Sequence, residues 1–146
     1  MNGVNLDLLG QRQPELYGSF NLNDLESLLK KESVALAKAS GIKNVHLDFF
    51  QSNTESDFIE KLTSTKADGL LINPAAWTHT SLALADRLAA LKTPFVEVHI
   101  SNLASREEYR QKSYSAPYAI GVVYGFGLDS YLVGLTGLFR HLKVNS

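Results

Sequence analysis

Short apolar runs alternate along this chain with helix-length amphipathic segments, and few folds accommodate that order. Four runs predict strands: Val45 to Phe50, Gly69 to Ile72, Phe95 to His99 and Ala119 to Tyr124. Helical spacing of leucines and aromatics predicts helices over about 22–40, 55–66, 80–91 and 128–142, with Asn21 or Asn23 as the first N-cap and Gly41 beyond its end. Ser105-Arg106-Glu107-Glu108 reads as a capping box for a short helix to about residue 112. Residues 1–20 read as loop, punctuated by glycine and proline. Strands separated by helices of this size imply a parallel sheet covered on both faces. Right-handed crossovers make that sheet a doubly wound α/β sandwich. At 146 residues it is expected to be a single domain, 1–146.

Ligands of such sheets bind beyond the carboxyl ends of the strands. Polar groups follow each run: Gln51-Ser52-Asn53, Asn73-Pro74 with Thr78-His79-Thr80-Ser81, His99-Ile100-Ser101-Asn102, and Gly125-Phe126-Gly127. The third run carries the most chemistry. Alternate residues of a strand share a face, so Phe95, Glu97, His99 and Ser101 fall on one side and Val96, Val98 and Ile100 on the other. A carboxylate and an imidazole on a buried strand are costly as packing but serve a site in which Glu97 orients His99. The bland alternative is a satisfied hydrogen-bond network at a strand end.

Composition narrows the function classes. Fourteen basic residues against 15 acidic give a net charge of −1, and no basic stripe marks a nucleic-acid surface. The absence of cysteine excludes a disulfide framework and a thiolate metal site. Met1 to Asn5 has no signal-peptide character, and no apolar stretch reaches the ~20 residues that span a bilayer. A soluble, cytoplasmic protein is expected.

Other constellations leave alternatives open. An imidazole titrating near ~6.5 carries a proton either way, and a carboxylate beside it favours the acidic form, which makes His99 the leading acid or base. His79 sits at a predicted helix start, where free amides attract oxygen-rich ligands; the simpler role there is a Thr78 or Thr80 cap. A metal site from His79, His99 and Glu97 lacks any local spacing signature. Arg106 and Arg110, four apart on a predicted helix, either grip an anion or pair with Glu107 and Glu108. Leu9 to Gly18 is a glycine- and proline-punctuated loop of the kind that forms lids, in which Arg12 near Tyr17 would lower the phenol pKa; a packed surface aromatic is the alternative. Gly125-Phe126-Gly127-Leu128-Asp129-Ser130 nearly matches a dinucleotide fingerprint but lies in the last unit, with no strand after it to supply a ribose ligand.

Taken in order, these blocks resemble the type II 3-dehydroquinate dehydratases. The matching residues are Asn2-Gly3-Val4-Asn5-Leu6, Leu8 to Gly18, Phe50 to Glu55, Ile72-Asn73-Pro74, Thr78 to Ser81, Glu97 to Asn102 with Arg106-Glu107-Glu108, Ser113-Tyr114, and Gly125-Phe126-Gly127 with Tyr131. The resemblance covers nearly the whole chain. It implies a flavodoxin-like, three-layer fold and loss of water from 3-dehydroquinate to give 3-dehydroshikimate, without metal or cofactor. It assigns Tyr17 as the base at carbon 2, Arg12 as the group that keeps Tyr17 anionic, and Asn5 as a stabiliser of the enolate. His99, held by Glu97, becomes the acid for the departing hydroxyl. Asn73, His79 and Arg110 would contact substrate hydroxyls. Ile100 and Ser101 would hold the carboxylate, with Arg106 in support. Asp86 would reach a neighbouring subunit's site in a homo-oligomer of trimers assembled into a dodecamer. The competing readings are an inactive relative or a flavodoxin-like module that binds a small acid, and a redox or phospho-receiver protein. The last would want acidic strand ends, where this chain has histidine, asparagine and serine.

Departures from the family pattern are Val4 for proline, Ser56 for glycine, Ala85 for arginine, and the residues Lys112 and Ser130. None removes a residue assigned to chemistry. Family members also place a short apolar strand before the Asn-Gly motif, central in the sheet, whereas here Met1 directly precedes Asn2. The first strand is therefore expected to be short or missing, leaving an empty central slot or one filled by neighbouring segments. Four strands with no slot would contradict this.

Overall fold

The computed structural model describes residues 1–11 and 20–145. In chain order the regular elements are α1 (Leu22–Ala39), α2 (Glu55–Ser64), β1 (Leu70–Ile72), α3 (Trp77–Thr80), α4 (Leu82–Ala89), β2 (Phe95–His99), β3 (Gly121–Tyr124) and α5 (Asp129–Val144), with short 3-10 turns at Leu6–Leu8, Leu103–Ser105, Glu108–Arg110 and Ala116–Tyr118. The three strands form one parallel sheet in the order β1-β2-β3, with Leu70 opposite Phe95 and Val96 opposite Gly121.

The alternation read along the third run decides the layers. Val96, Val98 and Ile100 join Leu25, Leu29 and Ala37 of α1 and Tyr131, Leu135, Leu138 and Phe139 of α5 in one apolar cluster. Phe95 turns the other way, into a second cluster with Phe58 and Leu62 of α2 and Leu84 and Leu88 of α4. Helices thus cover both faces, and the expected three-layer α/β architecture holds. Gly134 lets α5 lie close on the sheet. A Cβ there would stand 3.0 Å from Val98 Cγ2 and 3.1 Å from Leu71 Cδ2.

α1 begins in a complete capping box. Asn21 Oδ1 accepts from the amides of Asn23 and Asp24, and the Asp24 carboxylate accepts from the Asn21 amide. At the other end of the fold, Gly125 (φ 95°) and Gly127 (φ 58°) make the left-handed turn from β3 into α5, so this glycine pair serves the chain path.

Three sequence expectations are corrected. Residues 45–50 form no strand: a parallel strand needs a laddered neighbour, and among the described residues Asn2 alone pairs with the end of this segment, donating to Phe50 O and accepting from the Ser52 amide. Between residues 45–50 and the Leu70–Leu71 edge lies a cavity of about 1260 Å3. The cavity lies where the slot is expected, with Met1 in its wall; the Met1 amino group donates to Leu71 O at 2.7 Å. The helix expected over 80–91 is two helices broken at Ser81, whose hydroxyl caps α4 through the Leu84 amide. The helix expected from Ser105 to residue 112 is absent. In its place are the turns Leu103–Ser105 and Glu108–Arg110, and Tyr109, which would need a buried face, is 68% exposed.

Candidate active site

A cavity of about 160 Å3 opens beyond the carboxyl ends of the strands. Its walls include Asn5, Asn73, His79, His99, Ile100, Ser101, Arg106 and Arg110, drawn from five separate stretches of chain. Eight residues singled out in the sequence thus meet at one place. Glu97 stands directly behind His99. Asp86 is exposed on α4 and does not line the cavity. Arg12 and Tyr17 lie outside the described residues.

The His99–Glu97 pair follows from strand periodicity. His99 Nε2 is 2.7 Å from Glu97 Oε1, and both residues are buried. A carboxylate only accepts, so Nε2 carries the proton and Nδ1 is left for the cavity. Burial pushes the Glu97 carboxyl up, but hydrogen bonds from His99, Ser115 and Thr78 and the attraction of His99 outweigh it. Its pKa lies below the ordinary carboxylate value.

His79 has a different environment. Its Nδ1 lies 2.7 Å from Lys112 O, which can only accept, so the proton sits on Nδ1 and Nε2 is a bare acceptor. Burial lowers its pKa, and positive neighbours at His99 and Arg110 lower it further against the pull of the Lys112 carbonyl and Glu97. A neutral His79 suits acceptance of a hydrogen bond from a hydroxyl. Its ring lies 6.4 Å from that of His99, nearly parallel.

The two arginines reach the cavity without sharing a helix. Both converge on Glu107: Arg106 Nε at 3.2 Å and Arg110 Nε at 3.5 Å from Oε2. Arg106 Nη1 also donates to Ser101 Oγ at 3.3 Å. Arg110 Nε is buried with no hydrogen-bond partner among the described residues. These donors favour an anionic or hydroxyl-rich guest. The sequence leaves two roles open, anion grip or pairing with glutamate; both arginines pair with Glu107 while lining the cavity.

Asn5 and Ala75, both in the cavity wall, are the non-glycine residues with positive φ among the described residues, at 63° and 55°. Each has its amide captured by an asparagine side chain: Asn5 N donates to Asn53 Oδ1 at 2.8 Å, and Ala75 N to Asn73 Oδ1 at 3.1 Å. Asn73 Nδ2 in turn donates to the Tyr131 hydroxyl, which donates to Asn2 Oδ1, both at 2.8 Å.

Sequence reasoning missed several of these partners. The simpler expectation is a helix cap by Thr78 or Thr80, yet the Thr78 hydroxyl donates to Glu97 Oε1 at 2.7 Å, and Ala76 occupies the cap position. Ser115 carried no signal of its own, and Ser113 only a place in the family pattern. Among the described residues, no cluster of three or more histidine, aspartate or glutamate side chains is arranged to hold a metal ion, and no helix is long and apolar enough to cross a membrane.

Comparison with known proteins gives the family. The family profile described as "Dehydroquinase class II" matches residues 1–139. The chain is similar to the 3-dehydroquinate dehydratase of Geotalea daltonii, at 46% identity over 145 residues, 98% of this chain and 96% of that one. It is similar also to the 3-dehydroquinate dehydratase of Prochlorococcus marinus subsp. pastoris, at 45% over 148 residues, 100% of this chain and 97% of the other. Among solved structures, the type II dehydroquinase from Butyrivibrio crossotus superposes with a TM-score of 0.83 at 35% identity, covering 94% of this chain and 92% of that one. The type II dehydroquinase from Propionibacterium acnes gives 0.81, also at 35% identity, covering 94% and 92%.

Proposed function

The chain belongs to the class II dehydroquinase family, and on that premise we propose that its cavity removes water from 3-dehydroquinate with Tyr17 as base and His99 as acid. The observation that carries the acid assignment is the buried His99–Glu97 pair, 2.7 Å apart, at the wall of the cavity. Tyr17, kept anionic by Arg12, takes the proton from carbon 2, next to the ketone. The electrons move to the ketone oxygen as an enolate, and Asn5 supplies a donor where that charge grows. The enolate then reforms the ketone and expels the carbon 1 hydroxyl. His99 enters this step as the imidazolium, its Nε2–H held on Glu97, and delivers the Nδ1 proton to that hydroxyl, which leaves as water.

The remaining walls fit the substrate's other groups. Neutral His79 accepts from a ring hydroxyl, and Asn73 and Arg110 contact hydroxyls beside it. Ile100 and Ser101 hold the carboxylate, with Arg106 oriented on Ser101. No metal or cofactor enters these steps. The wider reading is a cytoplasmic homo-oligomer of trimers, up to a dodecamer, in which Asp86 reaches a neighbouring site. Exposed Ile120, Val122, Tyr124 and Phe126 along and beside edge strand β3 support association.

The test is direct. Purified protein is mixed with 3-dehydroquinate and the conjugated enone is followed by ultraviolet absorbance. Turnover is expected to survive chelator and borohydride. His99→Ala and Tyr17→Phe should each lose about 10²–10⁴-fold in kcat with the fold intact, the usual worth of a positioned acid or base. Normal turnover in Tyr17→Phe would overturn the base assignment.

A further inference from the structure

Behind His99 lies a cluster of hydroxyls that the reaction as described does not use. Glu97 Oε1 is met by Thr78 Oγ1 at 2.7 Å and Ser113 Oγ at 3.1 Å, besides His99; Oε2 is met by Ser115 Oγ at 2.6 Å. The hydroxyls also touch one another. Thr78 Oγ1 is 2.7 Å from Ser113 Oγ and 2.6 Å from Ser115 Oγ. They come from two elements clamped together, since the Tyr114 amide donates to Thr78 O at 2.7 Å and the Ala116 amide to Ser113 Oγ at 2.8 Å.

Three hydroxyls beside one buried carboxylate are poor packing if packing were their only role; valine and alanine would fill the same space without polar atoms. As a set they satisfy the lone pairs of an ion that burial would otherwise neutralise. We propose that Thr78, Ser113 and Ser115 are positioning residues for the dehydration, holding Glu97 as a fixed, unprotonated acceptor for the His99 Nε2–H, so that the transferable ring proton is the one on Nδ1, facing the substrate. This rests on His99 being the acid. It extends that reading from the acid to the groups that set the acid's tautomer and aim. Glu97 also carries a pKa held below its ordinary value, with Ser115 and Thr78 among the causes.

The variants are Thr78→Val, Ser113→Ala and Ser115→Ala, with Thr78→Ser as the conservative rescue. Among the described residues, His79 from α3 couples electrostatically to both members of the pair and itself feels Arg110 from the Glu108–Arg110 turn, and all variants leave both in place. Thr78→Val and Ser115→Ala should each lower kcat by about 10–100-fold, as loss of an outer partner of an oriented imidazole does. KM should stay within about twofold. The acid limb of the kcat profile should move to higher pH as Glu97 becomes easier to protonate. Thr78→Ser should restore both values. Nitrogen-15 NMR of the resting protein reads the same cage without turnover. In its neutral form the His99 ring is a single Nε2–H tautomer in the parent and a mixture in Thr78→Val and Ser115→Ala. If the parent has no activity on 3-dehydroquinate, the dehydratase reading fails and the tautomer measurement still decides the cage. If Thr78→Val does not fold, Ser115→Ala and Thr78→Ser carry the comparison. Unchanged kcat, an unmoved acid limb and an unchanged tautomer in Ser115→Ala overturn the proposal.

Discussion

Replacing Tyr131 with phenylalanine isolates the polar chain beneath the cavity. The hydroxyl is buried on α5, where it accepts from Asn73 Nδ2 and donates to Asn2 Oδ1, both at 2.8 Å. Both partners are buried as well, Asn73 at 2% exposure and Asn2 at 7%. Phenylalanine keeps the ring and its packing and deletes both bonds. It also leaves an amide donor and an amide acceptor without this partner. Two bonds at about 1 kcal/mol net, plus part of the ~1–3 kcal/mol penalty for each orphaned group, put the loss at about 2–4 kcal/mol. A domain of this size loses roughly 3 °C of Tm per kcal/mol, so melting should fall by about 6–12 °C. Burial pushes the phenol well above its ordinary pKa, so it stays protonated and the loss should be constant from pH 5 to 9. Asn73 also fixes the Ala75 amide, so KM should rise more than kcat falls. Urea unfolding of Tyr131→Phe, Asn73→Ala and the double variant gives the coupling directly. A loss below about 0.5 kcal/mol, or one that varies with pH, would refute the hydroxyl chain as a stabilising unit.

Two further predictions concern the start of the chain. A Cβ on Gly3 would stand 2.5 Å from Pro74 O, a backbone atom that cannot move aside; Gly3→Ala should therefore lose at least about 1–3 kcal/mol in urea unfolding and reduce turnover by displacing Asn5. Burial, with the Lys61 charge adding to it, lowers the Met1 amine from 8.0 to about 5, so the unfolded chain holds the extra proton in that window. Stability is then complete above pH 8 and is lost as pH falls toward 5, with a ceiling near ~4 kcal/mol that solvent in the adjoining slot reduces. Acetylating Met1 should flatten this part of the stability profile; His79, which titrates nearby with the same sign, remains as the residual slope.

The site was legible where one local rule suffices. The period of two placed Glu97 and His99 on one face of β2 and the valines on the other, and both apolar clusters follow that division. The glycine turn after β3 and an asparagine cap on α1 were legible for the same reason: each is settled within about five residues of chain, although the choice of Asn21 over Asn23 and the Asp24 half of the box came from the structure. Residues 45–50 failed because a strand is a property of a pair. Their composition suits a sheet, but a ladder needs a neighbour along the whole run, and Met1–Asn2 reaches only its end. The Arg106–Arg110 segment failed differently. Ser105-Arg106-Glu107-Glu108 has the letters of a capping box, but no apolar run follows to give the helix a face. Thr78 and Ser115 lie 19 and 18 residues from Glu97, a separation at which no periodicity connects them.

What could not be read locally is also what aims the site. Among the described wall residues, His99 ends a strand and His79 stands on the single turn of α3; the others belong to turns, which do not by themselves hold a side chain to the tolerance that proton transfer needs. Three wall groups are each held by a polar contact: the Asn5 amide by Asn53, the Ala75 amide by Asn73 two residues before it, and the His79 ring by the Lys112 carbonyl. The two pinned backbone amides belong to residues with left-handed φ, a conformation that costs about 1–2 kcal/mol for a residue with a Cβ. A net hydrogen bond returns about 1 kcal/mol of that. Strain and contact nearly cancel at each position, so neither the turn nor the asparagine is explained alone. Their shared product is a wall atom at a fixed place: Asn5 where the enolate charge would grow, and the Ala75 turn, which leads into α3 and so toward His79. The same economy holds one layer deeper, where three hydroxyls of modest individual worth keep one carboxylate, and through it one imidazole, in a single state.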